Sequence, residues 1–239
     1  MKKIFLISIV IIMLLNVHAQ SVVTESFLTD RQVPDAAFYL PSPPDTSSVA
    51  FLCDYNCYLL GKSLRNTPRG KQADFDTYWE TDSILRGFAS SFGMQITKET
   101  TPVTYELMYK VCIDAEKGVS SAKKRYLRKR PYVQFNEHTG CQTQEDELRH
   151  TGSYPSGHSA RGWAIALVLS ELNPERQNMI MERGYQYGES RVIEGYHYQS
   201  DVEAARLSSS AVVARLHAER AFMMQIDKAK KELRKFNIK

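Results

Sequence analysis

Seven consecutive apolar residues, Trp163 to Leu169, lie a few positions beyond a helix-start signal, Pro155-Ser156-Gly157-His158. A helix that is apolar all round has no face to turn to water, so it must be enclosed by other elements. The rest of the chain then has to supply the shell. Helical patterns recur along it, and no alternating strand pattern of any length is present. The sequence predicts an all-α fold: one helical bundle around a central buried helix.

The predicted shell helices carry ordinary punctuation. Thr81-Asp82 reads as the cap of a helix through Ile84, Leu85, Phe88 and Phe92 that stops at Gly93. Pro102 suits the first position of a helix carrying Val103, Leu107, Val111 and Ile113. A break is expected near Gly118, followed by a further helix that Pro131 ends. Asn173-Pro174-Glu175 reads as a helix start, and Ser200-Asp201-Val202-Glu203 has the form of a capping box. The stripe Val202, Ala205, Ser209, Val212 and Leu216 follows it, and the Lys-rich run from Asp227 reads as a solvated helical tail. The Pro-rich stretch around Pro41-Ser42-Pro43-Pro44-Asp45 is expected to wrap the surface.

Residues 1–19 stand outside this fold. Lys2 and Lys3 precede an apolar run, Ile4 to Leu15, interrupted only by Ser8, and Val17-His18-Ala19 reads as a signal-peptidase site. Those twelve residues are well short of the roughly 20 that a membrane-spanning helix needs. The expectation is a cleaved signal peptide, export to the periplasm and a single domain at 20–239. Loss of the two lysines lowers the formal net charge from +4 to +2, which gives no reason to expect nucleic acid or a membrane as partner. An oxidising compartment permits disulfides among Cys53, Cys57, Cys112 and Cys141, with three pairings possible. Cys53 and Cys57 are four apart, no further cysteine pair or histidine partner completes a zinc pattern, and the cysteines read as structural.

Charge matters locally. Lys123, Lys124, Arg125, Arg128, Lys129 and Arg130 crowd into eight positions, and alone they would be a solvated helix face. Lys123 and Arg130 are seven apart, close to two helical turns, so the expectation is that these two share an inward face. A lysine point charge and an arginine fork together suit phosphate oxygens. Ser156 and Gly157 stand where a helix N-terminus offers free N–H groups to an anion, although Ser156 alone could be a plain cap. Arg191 is another oxygen clamp. Asp201 is four residues after His197 and could accept one imidazole N–H, leaving the other nitrogen to attack.

Each segment is weak alone, but their order spells K-x6-R-P, then P-S-G-H, then S-R-x5-H-x3-D. This closely resembles the class A nonspecific acid phosphatases, in the superfamily that includes type 2 phosphatidic acid phosphatases and vanadium-dependent haloperoxidases. The resemblance extends to Gly61–Lys71 upstream, to Gly152-Ser153-Tyr154 and to Asn173-Pro174. It implies a vanadium-haloperoxidase-like fold and broad phosphomonoester hydrolysis through a phosphohistidine, with possible phosphotransfer. The resemblance makes His197 the nucleophile, Asp201 its orienting partner and His158 the general acid and later base. Lys123, Arg130, Ser156, the Gly157 N–H and Arg191 would hold the phosphoryl oxygens, with no metal and no cofactor. It further implies inhibition by phosphate or vanadate, and a homo-oligomer, a dimer. For acid preference, His158 is expected to be protonated at rest and His197 neutral, since histidine titrates near pH 6.5. A haloperoxidase would usually be much larger. A lipid phosphatase of the superfamily would carry several long apolar spans, and none is present in 20–239.

Overall fold

The computed structural model describes residues 25–238, so the predicted signal peptide lies outside the described residues. Eleven α-helices follow in order: α1 Ala36–Tyr39, α2 Val49–Leu64, α3 Pro68–Phe75, α4 Thr81–Phe92, α5 Pro102–Tyr126, α6 Pro131–Gln134, α7 Glu145–Leu148, α8 Gly157–Leu172, α9 Gln177–Glu194, α10 Gln199–Leu216 and α11 Arg220–Leu233. No strand occurs among the described residues. The chain is all-α.

Helix α8 is the expected central helix, with α5, α9 and α10 packed around it. Ala160, Ala164, Ile165, Val168 and Leu169 are fully enclosed. Ser156 caps it, its hydroxyl oxygen accepting the Ser159 N–H at 3.2 Å. The stripe Val202, Ala205, Ser209, Val212 and Leu216 is buried, as its spacing requires. Helix α4 stops at Gly93, which takes a left-handed φ of 98° that a side chain would strain.

Several expectations need correcting. No break occurs at Gly118: α5 runs unbroken for 25 residues. A Cβ at Gly118 would lie 2.5 Å from Val212 Cγ2, so this glycine serves the close packing of α5 on α10. Nor does Pro131 end that helix. It stops at Tyr126 with Leu127 left-handed, and Pro131 opens the short α6 instead. The Lys-rich tail is not merely solvated. Ala229 and Leu233 of that run are fully buried in the core, in helical register with the equally buried Phe222 and Ile226 just before it. Glu232 of the same helix accepts the Val103 and Thr104 N–H groups at 3.1 and 2.8 Å, satisfying orphan donors at the start of α5.

The caps also differ in detail. Thr81 is the first helical residue and makes no cap bond. Asn173 leads into a 3₁₀ turn, Pro174–Arg176, and its side-chain amide donates to the Phe92 carbonyl at 2.8 Å. Helix α10 starts one residue before Ser200, so the predicted capping box does not form there. Asp201 accepts the Tyr198 N–H at 2.9 Å in its place. The four cysteines are all free thiols, and none of the three pairings is made.

Candidate active site

The site lies where α5 ends, α8 begins, and α9 turns into α10. Gly195, with φ of 87°, reverses the chain after α9, and the backbone N–H of His197 donates to the Arg191 carbonyl at 3.2 Å. The turn therefore holds Arg191 and His197 against each other. Arg65, from the Gly61–Lys71 stretch, braces it by donating to the carbonyls of Ile193 and Glu194 at 2.8 and 3.1 Å. A cation over the carbonyl end of α9 is favoured by the helix dipole.

Lys123, Arg130, Gly157, His158, Arg191 and His197 line one cavity of about 250 Å³, with Trp79, Glu116, Glu147 and Leu148 around the remainder. Ser156 and Asp201 are fully buried and do not line it. Asp201 touches the back of His197. Lys123 and Arg130 both reach the site, but not by sharing a helical face. Lys123 is in the last turn of α5, whereas Arg130 follows it in the chain beyond the helix end. Nor do only two of the six clustered cations point inward. Arg128 does so as well.

The tautomer of His197 follows from its partners. Arg130 Nη1 is 3.1 Å from His197 Nε2, and a guanidinium can only donate, so Nε2 carries the lone pair. The proton is then on Nδ1, which faces Ser153 Oγ at 3.2 Å and Asp201 Oδ2 at 3.4 Å. Ser153 in turn donates to Asp201 Oδ2. Burial, with Arg130 second, pushes the His197 pKa well below the ordinary histidine value, which keeps it neutral. Asp201 is also buried, yet the His197 hydrogen bond and the Arg128 cation hold its pKa below the usual carboxylate range.

His158 is constrained differently. Its Nε2 is 2.6 Å from the Asp76 carbonyl oxygen, which only accepts, so Nε2 carries a proton and Nδ1 is the remaining nitrogen. The ring stacks on Tyr187 at 4.7 Å. The Asp76 carboxylate is gripped by Arg183 and by the Ser190 hydroxyl, the latter at 2.7 Å, which gives the serine before Arg191 a task. Burial and then Arg191 push the His158 pKa well below its ordinary value. This direction runs against the expected protonated resting state: the enclosure by itself favours the neutral imidazole of His158.

The cradle is a site of unmet positive charge. Arg191 is 1 % exposed, and only its Nη2 finds an acceptor in the side-chain hydrogen bonds, the Gln144 Oε1 at 3.1 Å. Its Nε and Nη1 have no partner. Burial and then Arg130 lower the Lys123 pKa to about 7, and burial and then Arg191 lower Arg130 to about 10. Lys123 is thus charged below about pH 7 and loses its proton above it. An anion would reverse these costs. Sulfate, a dianion at all relevant pH values, is expected to bind more weakly as pH rises through 7, and Lys123→Met to remove that step. Calorimetric titration at a series of pH values checks this; a wild-type affinity flat between pH 6 and 8 would contradict it.

Four participants escaped the sequence reading. Arg128 looked like one of several solvated cations, Ser153 appeared without a role, and Asp54 and Asp76 carried no motif. The one available signal was Asp54 beside Phe51 on a helix, an acid where burial was plausible.

The PAP2 superfamily matches residues 106–221. The chain is 44% identical over 210 residues to the non-specific acid phosphatase of Providencia stuartii, covering 87% of this chain and 85% of the relative. It is 39% identical to the non-specific acid phosphatase of Salmonella typhimurium, covering 87% and 84%. An acid phosphatase from Zymomonas mobilis subsp. mobilis is 30% identical, with 92% and 83% covered.

Proposed function

Starting from the fact that the chain belongs to the non-specific acid phosphatases of the PAP2 superfamily, and so hydrolyses phosphomonoesters, we propose that it does so through a phosphohistidine on His197 without a metal ion. The observation that carries this reading is Arg191: a fully buried guanidinium with two unpaired donor atoms, beside Lys123 and Arg130, asks for a multiply charged oxyanion. Phosphoryl transfer spreads charge over three equatorial oxygens, and fixed donors supply most of its rate enhancement. Lys123, Arg130, Arg191 and the Gly157 N–H hold those oxygens, with the Ser156 hydroxyl behind them.

His197 Nε2 then forms a bond to phosphorus as the bond to the ester oxygen breaks. The electron pair leaves with that oxygen, which takes a proton from His158 Nδ1. Nδ1–H of His197 stays on Asp201 and Ser153, which offset the new imidazolium charge. Water, losing its proton to His158, reverses the sequence and frees phosphate; a sugar or other alcohol in its place gives phosphotransfer. Since the enclosure of His158 favours its neutral form, its proton comes with the substrate. A phosphomonoester is largely monoanionic below about pH 6, and the cradle's cations favour the dianion, so the ester's proton passes to His158 on binding. Acid preference follows from that transfer.

Among the described residues no group of three His, Cys, Asp or Glu side chains is placed to hold a metal ion, and no helix is long and apolar enough to cross a membrane. A chelator-resistant enzyme acting on small esters, periplasmic export and a dimer belong to the same proposal. Hydrolysis of a generic phosphomonoester is expected to peak below pH 7 and to keep its full rate in excess chelator. Activity abolished by chelator and restored by one divalent ion would refute the metal-free cradle.

A further inference from the structure

We infer that Arg128, anchored by Asp54, is the positioning residue that sets the charge and orientation of Asp201 and so readies His197. This rests on His197 being the nucleophile. The family resemblance assigns Asp201 to His197, yet the shorter contact of Asp201 is with Arg128. Arg128 Nη1 is 2.6 Å from Asp201 Oδ1, whereas His197 Nδ1 is 3.4 Å from Oδ2. The other arm of Arg128 reaches Asp54 Oδ2 at 2.7 Å. Asp54 is fixed by Ser200, whose N–H and hydroxyl donate to it at 2.8 and 2.6 Å. The guanidinium lies 4.0 Å over the Tyr198 ring. With Ser153 and the Tyr198 N–H also on Oδ2, both oxygens of Asp201 are tied and its plane is held against rotation.

The charge count gives this arrangement its meaning. Asp54, Arg128 and Asp201 are all buried and together carry one net negative charge. When His197 Nε2 bonds to phosphorus while Nδ1 keeps its proton, the ring gains one positive charge and the group becomes neutral. Without Arg128, two buried carboxylates would face the imidazole and hold it protonated, unable to attack, at pH values where the wild type is neutral. Without the Asp54 charge the group starts neutral and supports the imidazolium less well. The remaining charged groups facing His197 are Arg130, Lys123, Arg191 and His158, and neither substitution touches them. Losing Arg128 and losing the Asp54 charge should therefore move the acid limb of the rate profile in opposite directions.

The test is rapid-quench measurement of phosphoenzyme formation against pH, using a labelled phosphomonoester. Arg128→Met is expected to slow formation by about 10- to 100-fold at its own optimum and to raise the acid-limb midpoint by about one pH unit. Asp54→Asn is expected to lower that midpoint, and Arg128→Lys, which keeps the charge, to leave it near the wild type while still slowing formation. Sulfate affinity within about threefold of wild type certifies an intact cradle in each variant; should Arg128→Met not fold, the Asp54→Asn and Arg128→Lys pair carries the test. Wild-type rates and midpoints in the folded variants, or midpoints shifted in the same direction, would overturn this inference while leaving the nucleophile in place. A wild type that forms no phosphoenzyme would overturn both.

Discussion

His197→Ala is expected to lose phosphomonoester turnover by roughly 10⁴-fold or more, the scale seen when a covalent nucleophile is removed from an otherwise intact site. The same variant should still bind sulfate within a few-fold of the wild type. The reason for the split lies in the neighbours. Arg130 Nη1 also donates to the Tyr196 carbonyl at 3.2 Å, so loss of the imidazole does not orphan it. Asp201 keeps Arg128, Ser153 and the Tyr198 N–H. The cradle should therefore stand, with a cavity in place of the ring and a stability loss of about 1–3 kcal/mol. Turnover assays and sulfate titration on one preparation check both halves. Wild-type turnover in the variant would remove His197 from the mechanism; lost turnover together with lost sulfate binding would mean a collapsed site.

Arg191→Met should produce a second large effect, with an unusual sign in stability. Each donor aimed at a developing oxyanion contributes about 10²–10³ in rate, and Arg191 has two unpaired atoms for the purpose, so activity should fall by about 10³-fold or more. Yet the ligand-free protein should melt no lower than the wild type. A buried N–H without an acceptor costs about 1–3 kcal/mol, and a buried unpaired charge costs more. Methionine keeps most of the stem packing against Tyr196, whose ring lies 4.2 Å from the guanidinium carbon, and removes that burden. The counterweights are the bond to Gln144 and the cation–π contact with Tyr196, both lost with the guanidinium. Anion-dependent stabilisation grows with the logarithm of ligand over Kd. Added phosphate should therefore raise the melting temperature of the wild type and barely move that of Arg191→Met. A variant that melts far below the ligand-free wild type would show Arg191 to be a structural cation.

These two effects also show what a linear sequence can reveal. Helix α8 was legible because an apolar run without a polar face has one physical solution, and the serine and glycine before it announce its start. The eight candidate site residues were singled out by motif order rather than by geometry. Lys123 and Arg130 illustrate the difference: they reach the same cavity, but by a helix end and a reversal of the chain, since Leu127 takes a left-handed conformation that no propensity forecasts. Gly118 misled because a glycine demanded by close packing looks the same in sequence as one that breaks a helix. In α11 the abundant lysines masked a four-residue apolar stripe. Arg128 and Asp54 were illegible for a deeper reason. They stand 74 positions apart, and their roles exist only once α2 and the α5–α6 connection meet behind Asp201.

The shifts at the two histidines repeat that lesson. An imidazole in sequence suggests a group titrating near neutrality, but His158 and His197 share a buried, cation-rich cavity that drives both well below it. Their protonation is a property of the enclosure and of the anion that enters it.

Mapping the phosphoryl label after acid-free quench of a single turnover goes straight to the chemistry. If Nε2 of His197 attacks phosphorus, the label appears transiently on the peptide containing His197, attached through a phosphorus–nitrogen bond at Nε2, and decays at the rate phosphate is released. Label on the His158 peptide, or product formation with no protein-bound phosphoryl group at any time, would contradict it.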